Sequence, residues 1–165
     1  MPFPNDRTYN FDINLLLSDN AAAYTATGWA QVAGAQGIVD LGGNQGASPV
    51  QQARIDAVAV CDVTTLDATT TDEAYRIMVC VSNVPGFTNG NIWVAGEVEI
   101  AGGVLSVLGP GGAGVTGTGT TGRYEIMFSN QLAGVIYEFA SLFLVLSGTT
   151  PILTLEAFIA VLPEP

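Results

Sequence analysis

Along nearly its whole length the chain alternates short β-branched and aromatic runs with clusters of Gly, Pro, Asn, Asp and Thr, and apolar residues almost nowhere recur at helical spacing. That pattern removes most fold classes. Strands are predicted near 9–17, 24–32, 36–41, 54–64, 74–82, 91–100, 103–108, 122–129, 135–147 and 152–162, and only 49–54 has the character of a short helical turn. A parallel sheet needs crossover helices to cover it, so these strands must pair antiparallel and pack sheet on sheet. The expected fold is all-β, an antiparallel β-sandwich that is jelly-roll-like, with an immunoglobulin-like sandwich as the second choice.

Side-chain alternation assigns faces. Tyr75, Ile77, Val79 and Val81 share one side of their strand, with Arg76 and Met78 on the other; Tyr124, Ile126 and Phe128 likewise oppose Arg123 and Glu125. These are half-buried strands of a sheet with one wet face. The last two strands differ. In 135–147, Tyr137, Phe139, Phe143 and Val145 oppose Ala140, Leu142, Leu144 and Leu146, and in 152–162, Leu153, Leu155, Ala157, Ile159 and Val161 oppose a row that includes Phe158, Ala160 and Leu162. Both faces must be covered, either by loops of the same chain or by an interface with another chain, because monomers rarely expose large apolar patches. Phe143 and Phe158 are therefore candidate partner contacts, and a homodimer or homotrimer is expected.

At 165 residues the chain suits one domain, long enough to bury a core without a metal or disulfide staple. The expected division is an N-terminal arm over 1–10, one sandwich domain over 11–162 and a C-terminal tail over 163–165. Pro2 and Pro4 keep the arm out of a regular ladder. The segment 102–122 holds nine glycines in twenty-one residues, and the missing side chains allow close backbone approach to a neighbour. Pro2, Phe3, Pro4, Pro110, Gly111 and Gly112 join the candidate partner contacts on these grounds.

Charge narrows function. Four Arg stand against fifteen carboxylates, with no His and a net charge of −11, so no basic stripe can form and nucleic acid is excluded as a partner. Only 12% of residues are charged, about half the usual fraction, as expected where part of the surface is hidden by partners. No basic segment followed by an apolar core opens the chain, and the longest apolar run, 139–146, is too short to cross a bilayer, so neither a leader nor a membrane partner is expected. Synthesis in a cytoplasm then leaves Cys61 and Cys80 as free thiols. A hairpin closing around 66–75 would set them opposite each other, at a spacing that suits a bond sterically, but burial as small hydrophobes is the favoured reading.

Catalytic patterns are absent or incomplete. Without His or Lys there is no Ser-His-Asp triad, imidazole metal site, Walker lysine or Schiff-base amine. The run 109–114 satisfies the spacing of a dinucleotide-binding glycine loop, but the Val115-Thr116-Gly117 that follows cannot open the helix which must receive the phosphates. Glu97 and Glu99 share a strand face as a glycosidase pair would, and the acidic loop 67–73 offers oxygen ligands without calcium-loop spacing. Both are read as solvated surface. Tyr24, Trp29, Phe87 and Trp93 could stack on a sugar or simply fill a core. The expectation is a chain that is not an enzyme and takes no cofactor and no metal.

Three stretches carry a resemblance. They are the segment from Tyr24-Thr25-Ala26-Thr27-Gly28-Trp29 to Ile38-Val39-Asp40-Leu41-Gly42; Ala53-Arg54-Ile55-Asp56-Ala57-Val58 with the continuation Asp72-Glu73-Ala74-Tyr75-Arg76-Ile77; and Gly122-Arg123-Tyr124-Glu125 through Phe128-Ser129-Asn130 to Glu156-Ala157-Phe158-Ile159-Ala160. In this order, across most of 13–160, they resemble small tailed-bacteriophage structural proteins encoded beside the major capsid protein. That family is similar to the jelly-roll cement proteins that decorate phage heads. The longer N-terminal arm and the glycine-rich 102–121 depart from the pattern. The resemblance implies a non-enzymatic virion protein on the outer capsid surface, made in the host bacterial cytoplasm, with the major capsid protein and itself as partners. The alternative expectation is a carbohydrate- or receptor-binding β-sandwich of a phage tail or spike.

Overall fold

The computed structural model describes residues 12–42, 54–67, 72–88, 90–101, 107–108, 114–115 and 121–161. A 3-10 turn, Ile13–Leu15, precedes β1 (Leu16–Asp19). Next come β2 (Gly28–Trp29), β3 (Gln31–Val32), β4 (Ala35–Gln36), β5 (Ile38–Asp40), β6 (Asp56–Leu66), β7 (Ala74–Ser82) and β8 (Trp93–Ala101). β9 (Val107–Leu108) and β10 (Gly114–Val115) pair with each other within the glycine-rich segment. β11 (Gly122–Ser129), β12 (Gln131–Leu132), β13 (Val135–Ile136), β14 (Phe139–Ser147) and β15 (Leu153–Val161) complete the order. The candidate residues Pro2, Phe3, Pro4, Pro110, Gly111 and Gly112, and the segment 49–53, lie outside the described residues.

Two antiparallel sheets form the sandwich. One has the order β1-β15-β6-β11; the other runs β2-β14-β7-β8, with β5 also on β14. β2 and β5 are one interrupted edge strand: Trp29 opposes Phe143, the Ala30 N–H reaches the Leu142 carbonyl at 3.0 Å, and Ile38 opposes Ser141. The β3–β4 hairpin is inserted between them. Counted that way, the main strands stand in chain order 1-8-3-6 in the first sheet and 2-7-4-5 in the second.

The inward rows meet in one apolar core. Ala57, Ala59, Cys61 and Val63 of β6 and Leu153, Leu155, Ala157 and Ile159 of β15 face Tyr75, Ile77, Val79 and Val81 of β7 and Ala140, Leu142, Leu144 and Leu146 of β14. The period-2 alternation of the sequence is thus the inside–outside alternation of the sheets. Tyr137 departs from it. It is buried in the core, whereas Phe139, two residues on, lies on the outer side, because β13 ends before 137 and β14 begins only at 139. The single predicted strand 135–147 is really a small hairpin arm followed by a long central strand.

A second correction concerns β6 and β7. They are consecutive in sequence but belong to different sheets, so no hairpin joins them and the two cysteines do not face each other. Cys61 points into the core between Tyr124 and Ala157, while Cys80 sits on the outer side of the other sheet beside Ser141. Both are buried and free.

Two hairpins share one construction. Ala33-Gly34 turns with φ of 51° and 78°, and Ala133-Gly134 with φ of 50° and 82°, the left-handed pair that matches strand twist in a two-residue loop. Each base is closed by the same bond, Gly37 N–H to the Ala30 carbonyl at 2.9 Å and Tyr137 N–H to the Asn130 carbonyl at 2.8 Å. Asn130 is fully buried, accepts the Ile55 N–H at 2.7 Å and donates to the Tyr137 carbonyl at 3.1 Å, tying the second hairpin to the start of β6.

At its lateral sides the sandwich narrows onto glycines. A side chain on Gly37 would strike the Leu17 backbone of β1, and one on Gly96 of β8 would come within 2.8 Å of both Ile126 Cγ2 and the Met127 carbonyl of β11. Gly96→Ala is expected to cost about 1–3 kcal/mol, the range for forcing an extra carbon into a packed site. Chemical denaturation of the variant should show a lower midpoint with an unchanged slope.

Candidate interaction surfaces

The outer face of the first sheet carries a cross-strand charged row. Register places Asp19 beside Glu156, Glu156 beside Asp62, and Asp62 beside Arg123. Arg123 grips Asp62 through two parallel bonds of 2.8 Å, the fork geometry that suits guanidinium and carboxylate. Asp19 is engaged elsewhere: its carboxylate accepts the Ala33 N–H at 2.6 Å and the Ala21 N–H at 3.0 Å. Those two bonds, the Ala33 one first, hold its carboxyl below the ordinary Asp value of 3.8.

Next to this row the same face turns apolar. Val58, Val60, Phe158 and Ala160 form a second buried cluster, with Leu16 packed against it. Phe158, a candidate partner contact, is thus covered within the chain. So is much of Phe143: on the outer side of the second sheet its ring stands edge-on to Trp29, with centroids 4.9 Å apart at 74°. Trp29 in turn meets Phe87 at 5.1 Å. Phe87 is buried although its φ is +45°, a costly conformation for a bulky residue, held here by side-chain packing. The two-faced strands are therefore covered largely by their own chain.

Exposed large apolar side chains are dispersed, with Ile13, Ile38 and Val135 on separate elements. Trp93 and Val94 open β8 at 54% and 48% exposure, and Met127 on β11 is 57% exposed. β8 and β11 are edge strands of the two sheets and approach each other at Gly96, so these exposed residues lie on neighbouring edge strands. Of the four aromatics singled out in the sequence, Trp29 and Phe87 pack together, Tyr24 lines the same groove as Trp29, and Trp93 stands apart on β8.

A groove of about 410 Å³ runs along the segment between β1 and β2, lined among others by Tyr24, Thr25, Trp29, Gln31 and Gln36. Its wall is pinned to both sheets. Tyr24 exchanges backbone hydrogen bonds of 2.7 and 2.9 Å with Leu153, and its hydroxyl accepts the Gln31 N–H at 2.8 Å and lies 2.9 Å from the Ser18 hydroxyl. Thr27 Oγ1 donates to the Leu146 carbonyl at 3.1 Å and accepts the Leu146 N–H at 2.9 Å, standing in for a strand residue at the sheet edge. The glutamines gave no signal in the sequence; nothing in their spacing marks them until β3 and β4 fold back beside Trp29.

The chemistry weighed from sequence is placed as follows. Glu97 and Glu99 both lie exposed on β8, where Glu99 pairs with Arg76 at 3.4 Å. Asp72 accepts both the N–H and the hydroxyl of Thr149, at 3.1 and 2.9 Å. Among the described residues no three His, Cys, Asp or Glu side chains cluster as metal ligands, and no helix is long and apolar enough to cross a membrane. No family model, curated protein or solved structure matches the chain.

Two outcomes follow. Asp19→Ala should destabilise the protein near neutral pH, and the deficit should shrink as pH falls. The folded carboxyl titrates below the unfolded one, so its contribution is present above the unfolded value and lost as pH drops through the folded value. Paired denaturant melts at neutral pH and below the ordinary Asp value test this. Burial raises the Cys61 thiol to about 12, with the Asp62 charge adding to it, and the Cys80 thiol to about 11. Neither should react with iodoacetamide at mildly alkaline pH until denaturant is added, when mass spectrometry should find two adducts.

Proposed function

We propose that this chain is a non-enzymatic virion structural protein, a cement or decoration protein that binds the outer surface of a tailed-phage capsid. The observation that carries the reading is the strand order 1-8-3-6 against 2-7-4-5. That order favours two nested Greek keys, a jelly roll, an architecture of viral capsid and lectin domains. The resemblance of the three sequence stretches to phage cement proteins points the same way. With a net charge of −11 and four Arg, the chain belongs away from packaged nucleic acid.

The major capsid protein is the proposed partner, together with a second or third copy of this chain. Because Phe158 is buried and Phe143 is partly covered, the exposed apolar side chains that favour such contacts are Trp93 and Val94 on β8 and Met127 on β11. Each contact can be modest, since engagement at several neighbouring points on a symmetric shell raises effective concentration. Synthesis would be in the host bacterial cytoplasm, with assembly onto the finished shell.

Mass spectrometry of density-purified particles from the phage that encodes the chain tests the reading. The expected result is a copy number in fixed ratio to the major capsid protein, with release by denaturant alone. Trp93→Ser combined with Met127→Ser should lower that ratio without lowering the melting temperature of the free protein. Particles that carry none of the chain would overturn the proposal.

A further inference from the structure

We propose that the groove between Tyr24, Trp29, Gln31 and Gln36 is a binding site for a neutral saccharide, an activity separate from attachment to a capsid. In a chain of net charge −11, the ten residues that line it include no Asp, Glu, Lys or Arg. An anionic ligand would meet the field of the whole protein with no cation in the wall to offset it. A cationic ligand would find no carboxylate there. What remains is a ligand that is uncharged, rich in hydroxyl groups and partly apolar.

The wall offers the groups such a ligand needs. The Gln31 side-chain amide and the Thr25 hydroxyl make no hydrogen bond among the described residues. Gln36 donates its amide N–H to Ser141 Oγ at 3.1 Å, a bond that leaves its carbonyl oxygen unused. An amide both donates and accepts, as a sugar hydroxyl does. Trp29 is only half-buried and lines the groove. Its indole is fixed from behind by Phe143 and Phe87, so it would present an apolar edge to a sugar ring without first being ordered. Ala22, Ala23 and Gly28 keep the approach low. A volume of about 410 Å³ lies within the usual range for small-ligand sites and leaves room for one or two rings.

Preorganisation is the second argument. The wall is held to β15 through Tyr24–Leu153 and to β14 through Thr27–Leu146, so little ordering would remain to oppose a weak, polar ligand.

Trp93→Phe leaves Trp29 as the sole tryptophan of the two in the chain. Titration of that protein with N,N′-diacetylchitobiose, maltose and lactose, alongside a printed glycan array, should give a saturable change in Trp29 emission with at least one saccharide. Adding Gln31→Ala should weaken the response about tenfold, the loss of one ligand hydrogen bond to an uncompensated polar group. Gln31 is exposed, so its melting temperature should not move; Thr25→Ala serves as the second variant. No response on the array or to any of the three sugars overturns the proposal, as does a response that neither variant weakens. Inorganic phosphate that saturates the same signal would also overturn it. Because the assay uses the free protein, its failure leaves the virion reading standing, and absence from particles leaves this one standing.

Discussion

The contact on which the molecule depends is the meeting of four inward rows, from β6 and β15 on one side and β7 and β14 on the other. Each of these strands is central in its sheet, with a neighbour on both edges. Their inward residues are almost all aliphatic, and most have no accessible surface. Burial of that area is the dominant favourable term in the fold. The chain is otherwise poor in devices that could replace it, having no disulfide and three ion pairs among the described residues, all at least one-third exposed. Exposed pairs of that kind add little.

Around this core the sheets must stop, and edge strands are where sandwiches become prone to association. The edges are managed unequally here. On one side the interrupted strand β2–β5, the β3–β4 hairpin and Gly37 bring the chain down onto β1, with Asp19 clamping the Ala33 turn. On the other, β8 and β11 come close at Gly96 but keep exposed Trp93, Val94 and Met127. The first side carries the groove, and the second leaves single apolar side chains exposed on its edge strands.

The outer faces of β14 and β15 show why apolar residues on both sides of a strand do not by themselves announce a partner. Phe158 joins Val58 and Val60, and Phe143 joins Trp29 and Phe87. A loop that reaches back over a sheet satisfies the same physical demand as a second subunit would, and side-chain spacing cannot tell them apart.

What the sequence determined by itself is the set of local rules. Alternation with period 2 identified which residues of β7 and β11 face inward and sorted those of β14 and β15 into two rows, because that relation is fixed by strand geometry within a few residues. The all-β class followed equally from the strand and turn signals. What only the tertiary structure decided is which strands are neighbours. β6 and β7 read as a hairpin and are in fact on opposite sheets, so Cys61 and Cys80 part company; the run 135–147 reads as one strand and changes face at Tyr137. Two residues of the groove, Tyr24 and Trp29, were legible as aromatic punctuation, but Gln31 and Gln36 came to line it only when a two-residue turn folded β3 and β4 back beside them. Neighbour choice rests on contacts between residues as far apart as Ser18 and Leu155, and such contacts leave no periodic trace in the chain that makes them.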